Sequence, residues 1–420
     1  YADYAKSFAK HHFNVLVGAS QELDKDHSFY ARKEGNITSS LNSLNLASGE
    51  ARVGDNRQVW GLRSLFGRLS YNFDERYLLE FNGRYDGTSR FPKSDRFGFF
   101  PSISGGWVLS EESFFSSLKN TIDNFKIRAS YGSLGNQQVS AYPYIATMSL
   151  SQAPFILDGS RPLNTRAPGL VSPTLTWETA TTFDVGFDMS LLKNRLQLGF
   201  DWYERNTRDM LTKSKTLPAV LGAVEPQTNA ADLATKGWEI SARWESAFDL
   251  GDKPFRYNIG LVLSDNQSKI TRYDNPSGLF SDYYVGERIG EIWGYTNSGF
   301  FKTDDEYLQA ADQSKVSTIE YQLDGHPLAG DIRFADLDGN GVIDFGEQTI
   351  YNPGDMRVIG NTSPRYAYGV NLGFNWGDFD LSAFFQGIGK RDFWPGSESG
   401  VFWGTFNRWN QPIYEHLIRK

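Results

Sequence analysis

Residues 77–87 read YLLEFNGRYDG. Tyr77, Leu79, Phe81 and Tyr85 fall on one parity, and Glu80, Asn82, Arg84 and Asp86 on the other. Such period-2 alternation marks a β-strand with one apolar face. The pattern returns in FKIRASYGS (125–133), FDVGFDMSL (183–191), LQLGFDW (196–202), WEISARW (238–244), YNIGLVLS (257–264), YAYGVNLGFNW (366–376) and FDLSAFFQG (379–387). The first strand is expected at FNVLVGAS (13–20), and the alternation test gives about fourteen to sixteen strands in all.

Short links join these strands in pairs: NFDER (72–76), LLKNRL (191–196) and NWGDFD (375–380) read as hairpin turns. Longer polar segments separate the pairs, at 21–56, 133–175, 206–236, 265–290 and 303–365. The implied chain is a meander with tight turns at one end and long loops at the other. Only SEESFFSSL (110–118) suggests a helix, with Ser110 as N-cap and Glu111 and Glu112 in its first turn.

Composition narrows the class. The chain has 420 residues, a formal net charge of −8 and no cysteine, which excludes a disulfide scaffold and thiolate metal sites. No basic stretch stands out, so nucleic acid is not an expected partner. Aromatic residues make up 15% of the chain, a bias toward strands. No run of about 18 apolar residues exists, so a closed β-barrel is the only way this chain could cross a bilayer.

Alternation alone leaves open which face is buried. A soluble sandwich hides its apolar face, and an outer-membrane barrel turns it to lipid. Aromatics bracket the apolar stripes: Tyr77 with Tyr85, Phe125 with Tyr131, Trp238 with Trp244, Tyr366 with Trp376. Girdles of this kind are expected at the two membrane interfaces. Ten strand steps cover roughly 33 Å, and about 25 Å in height once tilted, which is a barrel's apolar band. The expected fold is all-β, a large antiparallel transmembrane β-barrel, partial, with long loops on one side. The alternative is a secreted calcium-binding β-sandwich that binds or acts on carbohydrate.

One motif carries its own chemistry. DLDGNGVIDFGE (336–347) matches the calcium-loop spacing D-x-[DN]-x-[DN]-G-x5-E at each fixed position. The ligand set would be Asp336, Asp338, Asn340, the Val342 carbonyl, Asp344 and Glu347, with Ile343 as apolar anchor. The bland reading is an Asp/Asn/Gly turn whose side chains bind its own backbone. Bound calcium would be structural, pinning a strand-to-strand loop. The five histidines show no zinc spacing, and no P-loop, G-x-G-x-x-G or nucleophile elbow occurs. No enzymatic site is therefore expected. Phe393, Trp394, Phe402 and Trp403 leave the last strand in an aromatic cluster that could stack on sugar or belong to a girdle.

Several long motifs, in order, resemble the barrel of SusC/RagA-type TonB-dependent transporters. They are RYLLEFNGRYDGTSRF (76–91), GFFPSISGGWVLSEESFF (98–115), KIRASYGSLGN (126–136), LTWETATTFDVGFDMSLLKNRLQLGFDWYERNTRDML (175–211), NAADLATKGWEISARW (229–244), GDIRFADLDGNGVID (330–344) and YAYGVNLGFNWGDFDLSAFFQG (366–387). The resemblance implies a barrel of roughly 22 strands around a plug, and residues 1–420 are expected to be part of that barrel, lacking the plug and some strands. It further implies an outer-membrane importer of oligosaccharides or peptides, a SusD-like surface lipoprotein as lid, TonB acting through the plug, and outer-membrane lipid around the wall.

Overall fold

The computed structural model describes all residues except 39, 42, 149, 166, 167, 216, 317–325 and 395–420. Among the described residues eighteen strands occur. In chain order they are β1 (Ala2–Phe8), β2 (His11–Arg32), β3 (Arg52–Phe73), β4 (Tyr77–Thr88), β5 (Phe97–Val108), β6 (Ile122–Asn136), β7 (Leu150–Gln152), β8 (Leu163–Thr165), β9 (Glu178–Leu191), β10 (Leu196–Lys213), β11 (Gln227–Leu250), β12 (Lys253–Arg272), β13 (Glu291–Tyr295), β14 (Asn297–Phe300), β15 (Ile332–Phe334), β16 (Met356–Asn361), β17 (Arg365–Trp376) and β18 (Phe379–Lys390). Twelve of them make one sheet in the order β1-β2-β3-β4-β5-β6-β9-β10-β11-β12-β17-β18. The other six form three two-stranded sheets in the loops, so among the described residues the main sheet holds fewer strands than the fourteen to sixteen expected.

The links alternate as expected. The tight ones are 9–10, 74–76, 192–195, 251–252 and 377–378. Asp74 and Glu75 both sit in left-handed backbone (φ 56° and 58°), the geometry that lets a two-residue turn follow the strand twist. The Asn72 side chain accepts the Glu75 N–H at 2.9 Å and completes that turn. The link 109–121 contains two short 3₁₀ helices, Leu109–Glu111 and Ser113–Leu118, not one capped helix. Ser110 lies inside the first of them, fully buried, and caps nothing.

Three further expectations need correction. A strand, β1, precedes the one expected at 13–20 and pairs with it from Ala2↔Val17 to Phe8↔His11. Lys6, on the parity of Ala2, Tyr4 and Phe8, blurs its alternation. The segment 21–56 is not all loop: β2 and β3 stay paired, without a register shift, from His11↔Phe73 to Arg32↔Arg52. Residues 206–213, 227–236 and 265–272 are strand as well. A hydrogen-bonded ladder can continue after the need for an apolar face has ended, so hydropathy lost the strands before the backbone did.

Contacts divide the chain into two units, Tyr1–Lys236 with Thr271–Asp274, and Gly237–Ile270 with Asn275–Lys420. In the first, the apolar parity is the exposed one. Tyr77, Leu79, Phe81 and Tyr85 are 37–45% exposed, while Glu80 and Asn82 between them are half-buried. Val17, Leu65, Leu69, Ile103, Ile127 and Tyr131 are exposed in the same way. In the second unit Ile259, Leu261, Leu372, Phe374 and Trp376 are exposed as well, and so are Asn258, Val262 and Asn371 on the other parity. A sandwich would bury these rows, so the sandwich alternative fails. Among the described residues no helix is long and apolar enough to span a membrane.

At the tight-turn end of the first unit aromatic side chains form a rim. Phe73 stacks toward Tyr77 and Tyr77 toward Trp107. Glu112 accepts both the Tyr77 hydroxyl at 2.6 Å and the Trp107 indole N–H at 3.0 Å. At the long-loop end, Phe91, Phe100, Val139, Leu175 and Trp177 make a small core. Trp177 meets Phe91 and Phe100 edge-on at 5.4 and 5.2 Å, a favoured aromatic geometry.

Candidate functional site

The polar face of the first unit is a charged wall. Arg128 on β6 forks onto Asp188 on β9 (3.1 and 3.3 Å) and onto Asp201 on β10 (2.8 Å for Nη2). Gly186 stands between strand neighbours here, and a Cβ on it would come within 2.5 Å of Asp201 Oδ1. The missing side chain lets the ion pair close across the strand. Arg84 on β4 binds Asp86 at 2.7 Å and the buried Ser64 hydroxyl at 2.7 Å. Glu80 accepts from Ser70 at 2.8 Å and from Asn82 at 2.9 Å. Two open hollows lie on this face, of about 580 Å³ beside Glu80, Lys126 and Arg128, and about 700 Å³ beside Arg68, Arg84 and Asp86. A wall of paired charges and hydroxyls suits a water-filled passage, since its ion pairs keep partners while facing water.

In the second unit the segment between β12 and β17 is a folded body. β13 pairs with β16 and β14 with β15. Ile292, Phe301, Val316 and Ile343 are buried, and Phe280 stacks on Trp293 at 4.0 Å. Its base is tied to the sheet: the Ile270 N–H donates to Glu287 O at 2.8 Å, and the Ile289 N–H to Ser268 O at 3.0 Å. Burial is the main cause that raises the Glu287 carboxyl above the usual carboxylate range. Burial likewise raises Tyr284, helped by its hydrogen bond to Glu291.

The acidic loop sits on this body. Asp336 accepts the Gly339 N–H at 2.7 Å and the Gly341 N–H at 2.9 Å. Both glycines have positive φ (76° and 83°), which the tight turn requires. The Gly341 bond is the largest of the causes holding the Asp336 carboxyl below its ordinary range. Ile343 is fully buried, and its N–H reaches Asp312 O at 2.7 Å, so the apolar anchor is real. Asn340 uses Oδ1 on the Val342 N–H at 2.8 Å and donates to Asp338 at 3.0 Å.

The carboxylates that meet are not the full set expected. Among the described residues the acidic group that could share an ion is Asp336, Asp338 and Asp355, with one oxygen of each within 4.8 Å of the others. Asp344 turns away to the Gly346 N–H (2.9 Å) and Lys315 (3.1 Å), and those partners keep its carboxyl low. Glu347 is exposed and lies outside the group. Asp355, fully buried, takes the closing position and accepts the Leu337 and Asp344 N–H groups at 2.7 and 2.9 Å. Sequence spacing missed it because Asp355 comes back from the later turn Pro353–Met356, with no local motif. Calcium–oxygen distances run about 2.3–2.6 Å, so oxygens within 4.8 Å of one another fit a shared calcium.

Phe393 and Trp394 follow β18 at the long-loop end, 74% and 58% exposed. Asp392 beside them is held by the Asn361 backbone, N–H to Oδ2 at 2.8 Å and O to N–H at 3.0 Å. Phe402 and Trp403 lie outside the described residues.

Comparison with known proteins places this wall among relatives. The model of the TonB dependent receptor-like β-barrel family matches residues 2–412. The TonB-dependent receptor SusC of Bacteroides thetaiotaomicron is 31% identical over 387 residues, covering 89% of this chain and 36% of that protein. The TonB-dependent receptor P3 of Formosa agariphila is 29% identical over 402 residues, covering 92% of this chain and 38% of its own length. Among solved structures, the RagAB peptide transporter superposes with a TM-score of 0.74 at 19% identity, over 91% of this chain and 39% of that one. The chain therefore spans well under half the length of the relatives it matches.

Proposed function

The chain belongs to the TonB-dependent receptor-like β-barrel family of the outer membrane, and from that premise we propose that it forms the wall of a nutrient importer for oligosaccharides or peptides. The observation that carries the proposal is the first unit's sheet, which exposes its apolar rows on one face and pairs its charges on the other. In a bilayer that arrangement gives lipid one face and a wet passage the other. The whole receptor would work with a SusD-like surface lipoprotein and draw energy through TonB, as its SusC relative suggests. The wall itself breaks no bond. It holds shape, keeps the passage polar and carries the outer loops, among them the exposed Phe393 and Trp394 at the rim.

Deleting the full-length gene should abolish growth on one polymer class, glycan or peptide, and complementation should restore it. Unchanged growth on both classes would overturn the importer reading. Polysaccharide turnover by the purified protein, lost on a single Asp or Glu substitution, would overturn it too. Calcium at Asp336, Asp338 and Asp355 belongs to the same proposal: bound there, the ion would neutralise three converging carboxylates and stiffen the outer loop.

A further inference from the structure

The β2–β3 ribbon separates charge by face once it rises past its apolar rows. Because the pairing runs without a shift from His11↔Phe73 to Arg32↔Arg52, each pair shares a face. One face carries Phe13/Tyr71, Val15/Leu69, Val17/Gly67 and Ala19/Leu65, the exposed apolar rows. Continuing outward on that face come Gln21/Arg63, Leu23/Gly61, Lys25/Val59 and His27/Arg57, then Phe29/Asp55. The opposite face of the same stretch of β2 holds Glu22, Asp24 and Asp26. Bases follow the apolar rows and acids follow the polar rows. Asp55 is the one carboxylate on the basic side, and it lies 3.5 Å from His27 and 3.6 Å from Arg57, leaving Arg63 and Lys25 nearer the apolar rows.

A groove marks the boundary. It is about 610 Å³, open, and lined by Ala19, Gln21, Arg63, Leu65, Tyr85 and Phe97 among others. Tyr85 and Phe97 stack at 5.2 Å, and the Phe97 ring lies over Gly87, where a Cβ would come within 2.2 Å. The floor is therefore apolar and aromatic, and the upper edge ends in a guanidinium. Successive rows on one face rise roughly 5 Å when strands tilt about 40°. Arg63 stands one row above Ala19 and Leu65 and Lys25 two rows higher, with exposed Leu23 in the row between them and Val59 opposite Lys25, within reach of headgroups for side chains that lie along a surface.

We propose that this groove binds a phosphate-bearing lipid of the outer leaflet, acyl chain against Leu65, Tyr85 and Phe97, phosphate on Arg63 and Lys25. Charge complementarity selects the occupant: a planar guanidinium pairs with phosphate oxygens in two-pronged fashion, and a neutral lipid would leave these bases unused. The proposal rests on the apolar face meeting lipid.

The test is native mass spectrometry of the full-length detergent-purified receptor with diphosphoryl lipid A and with the same lipid dephosphorylated. The wild type should retain the phosphorylated form preferentially. Arg63→Gln with Lys25→Gln should lower that retention about tenfold or more, Arg63→Lys should keep much of it, and Glu22→Gln, on the other face, should change nothing. Equal retention of both lipids by the wild type, or unchanged retention by the double variant, would overturn the proposal. A bimane label on Leu65→Cys, read with brominated lipid, separates the two claims. Quenching without phosphate selectivity rejects the lipid site alone, and absence of quenching rejects the lipid-facing orientation with it.

Discussion

Asp265 on β12 and Arg365 on β17 form a two-pronged ion pair where their two strands part, with side chains only 8% and 24% exposed. The β12–β17 ladder ends at Ser264↔Ala367. Just beyond it Asp265 also accepts the N–H of Tyr366, whose backbone is left-handed at φ 54°. The outer end of β12 then turns to the folded loop, through Ile270 and Glu287. The pair thus clamps the loop's return to the sheet.

Arg365→Leu should leave Asp265 charged and unpaired, at a cost of about 3–5 kcal/mol. Hydrogen exchange should rise at 286–290 and 361–366 while 368–376 stay protected. Asp265→Leu with Arg365→Leu should recover much of the loss, because no charge is then stranded. Equal exchange in the single and double variants would contradict the clamp.

The Glu287 carboxyl gives the loop base a pH dependence. Its pKa in the folded protein is raised by burial, so its contribution is fully present below the ordinary carboxylate range and is lost as pH rises through the raised value. Glu287→Gln keeps an acceptor for the Tyr284 N–H, which Glu287 Oε2 now holds at 3.2 Å. The variant should protect 284–291 better than wild type at neutral pH and equally at acidic pH. Protection below wild type at neutral pH would show that the charge is favourable there.

The acidic loop predicts a specific ligand order. Terbium luminescence on the full-length receptor should show one calcium-competed site that Asp338→Asn weakens at least tenfold. Glu347→Gln and Ser281→Ala should leave it unchanged. Chelation should raise exchange at 330–356 and leave the strands protected. A loss on Glu347→Gln equal to that on Asp338→Asn would restore the motif-based ligand set.

Leu372 and Asn371 test the faces of β17. Leu372 is 40% exposed on the apolar parity with Phe374 and Trp376, and Asn371 belongs to the other. Leu372→Arg should cost about 2–4 kcal/mol in bilayers, and Asn371→Arg should be tolerated. Equal costs, measured by refolding into vesicles, would count against the assignment.

What the sequence made legible follows from what lipid demands. Tyr77, Leu79 and Phe81 alternate cleanly with Glu80 and Asn82 because one face meets hydrocarbon. Above the band, Lys25, Asp26 and His27 are polar on both faces, so β2 continues unseen to Arg32. Lys6 hid β1 in the same way. In the acidic loop the turn itself was legible, since Asp336, Gly339 and Gly341 are local. Asp355 was not, because it reaches Asp336 and Asp338 by tertiary return, whereas Glu347 lies outside that group.

The central claim is that the apolar rows face lipid and the polar rows face water. These 420 residues contain no cysteine, so single cysteines can be placed along β2 in a receptor freed of any cysteine elsewhere. Asn14, Val15, Leu16, Val17, Gly18 and Ala19, each replaced in turn in the full-length receptor in vesicles, should alternate. Positions 15, 17 and 19 should resist a membrane-impermeant thiol reagent and be quenched by lipid-borne quenchers, and 14, 16 and 18 should not be quenched. Loss of the two-residue period, or quenching at 14, 16 and 18 in place of 15, 17 and 19, would contradict the account.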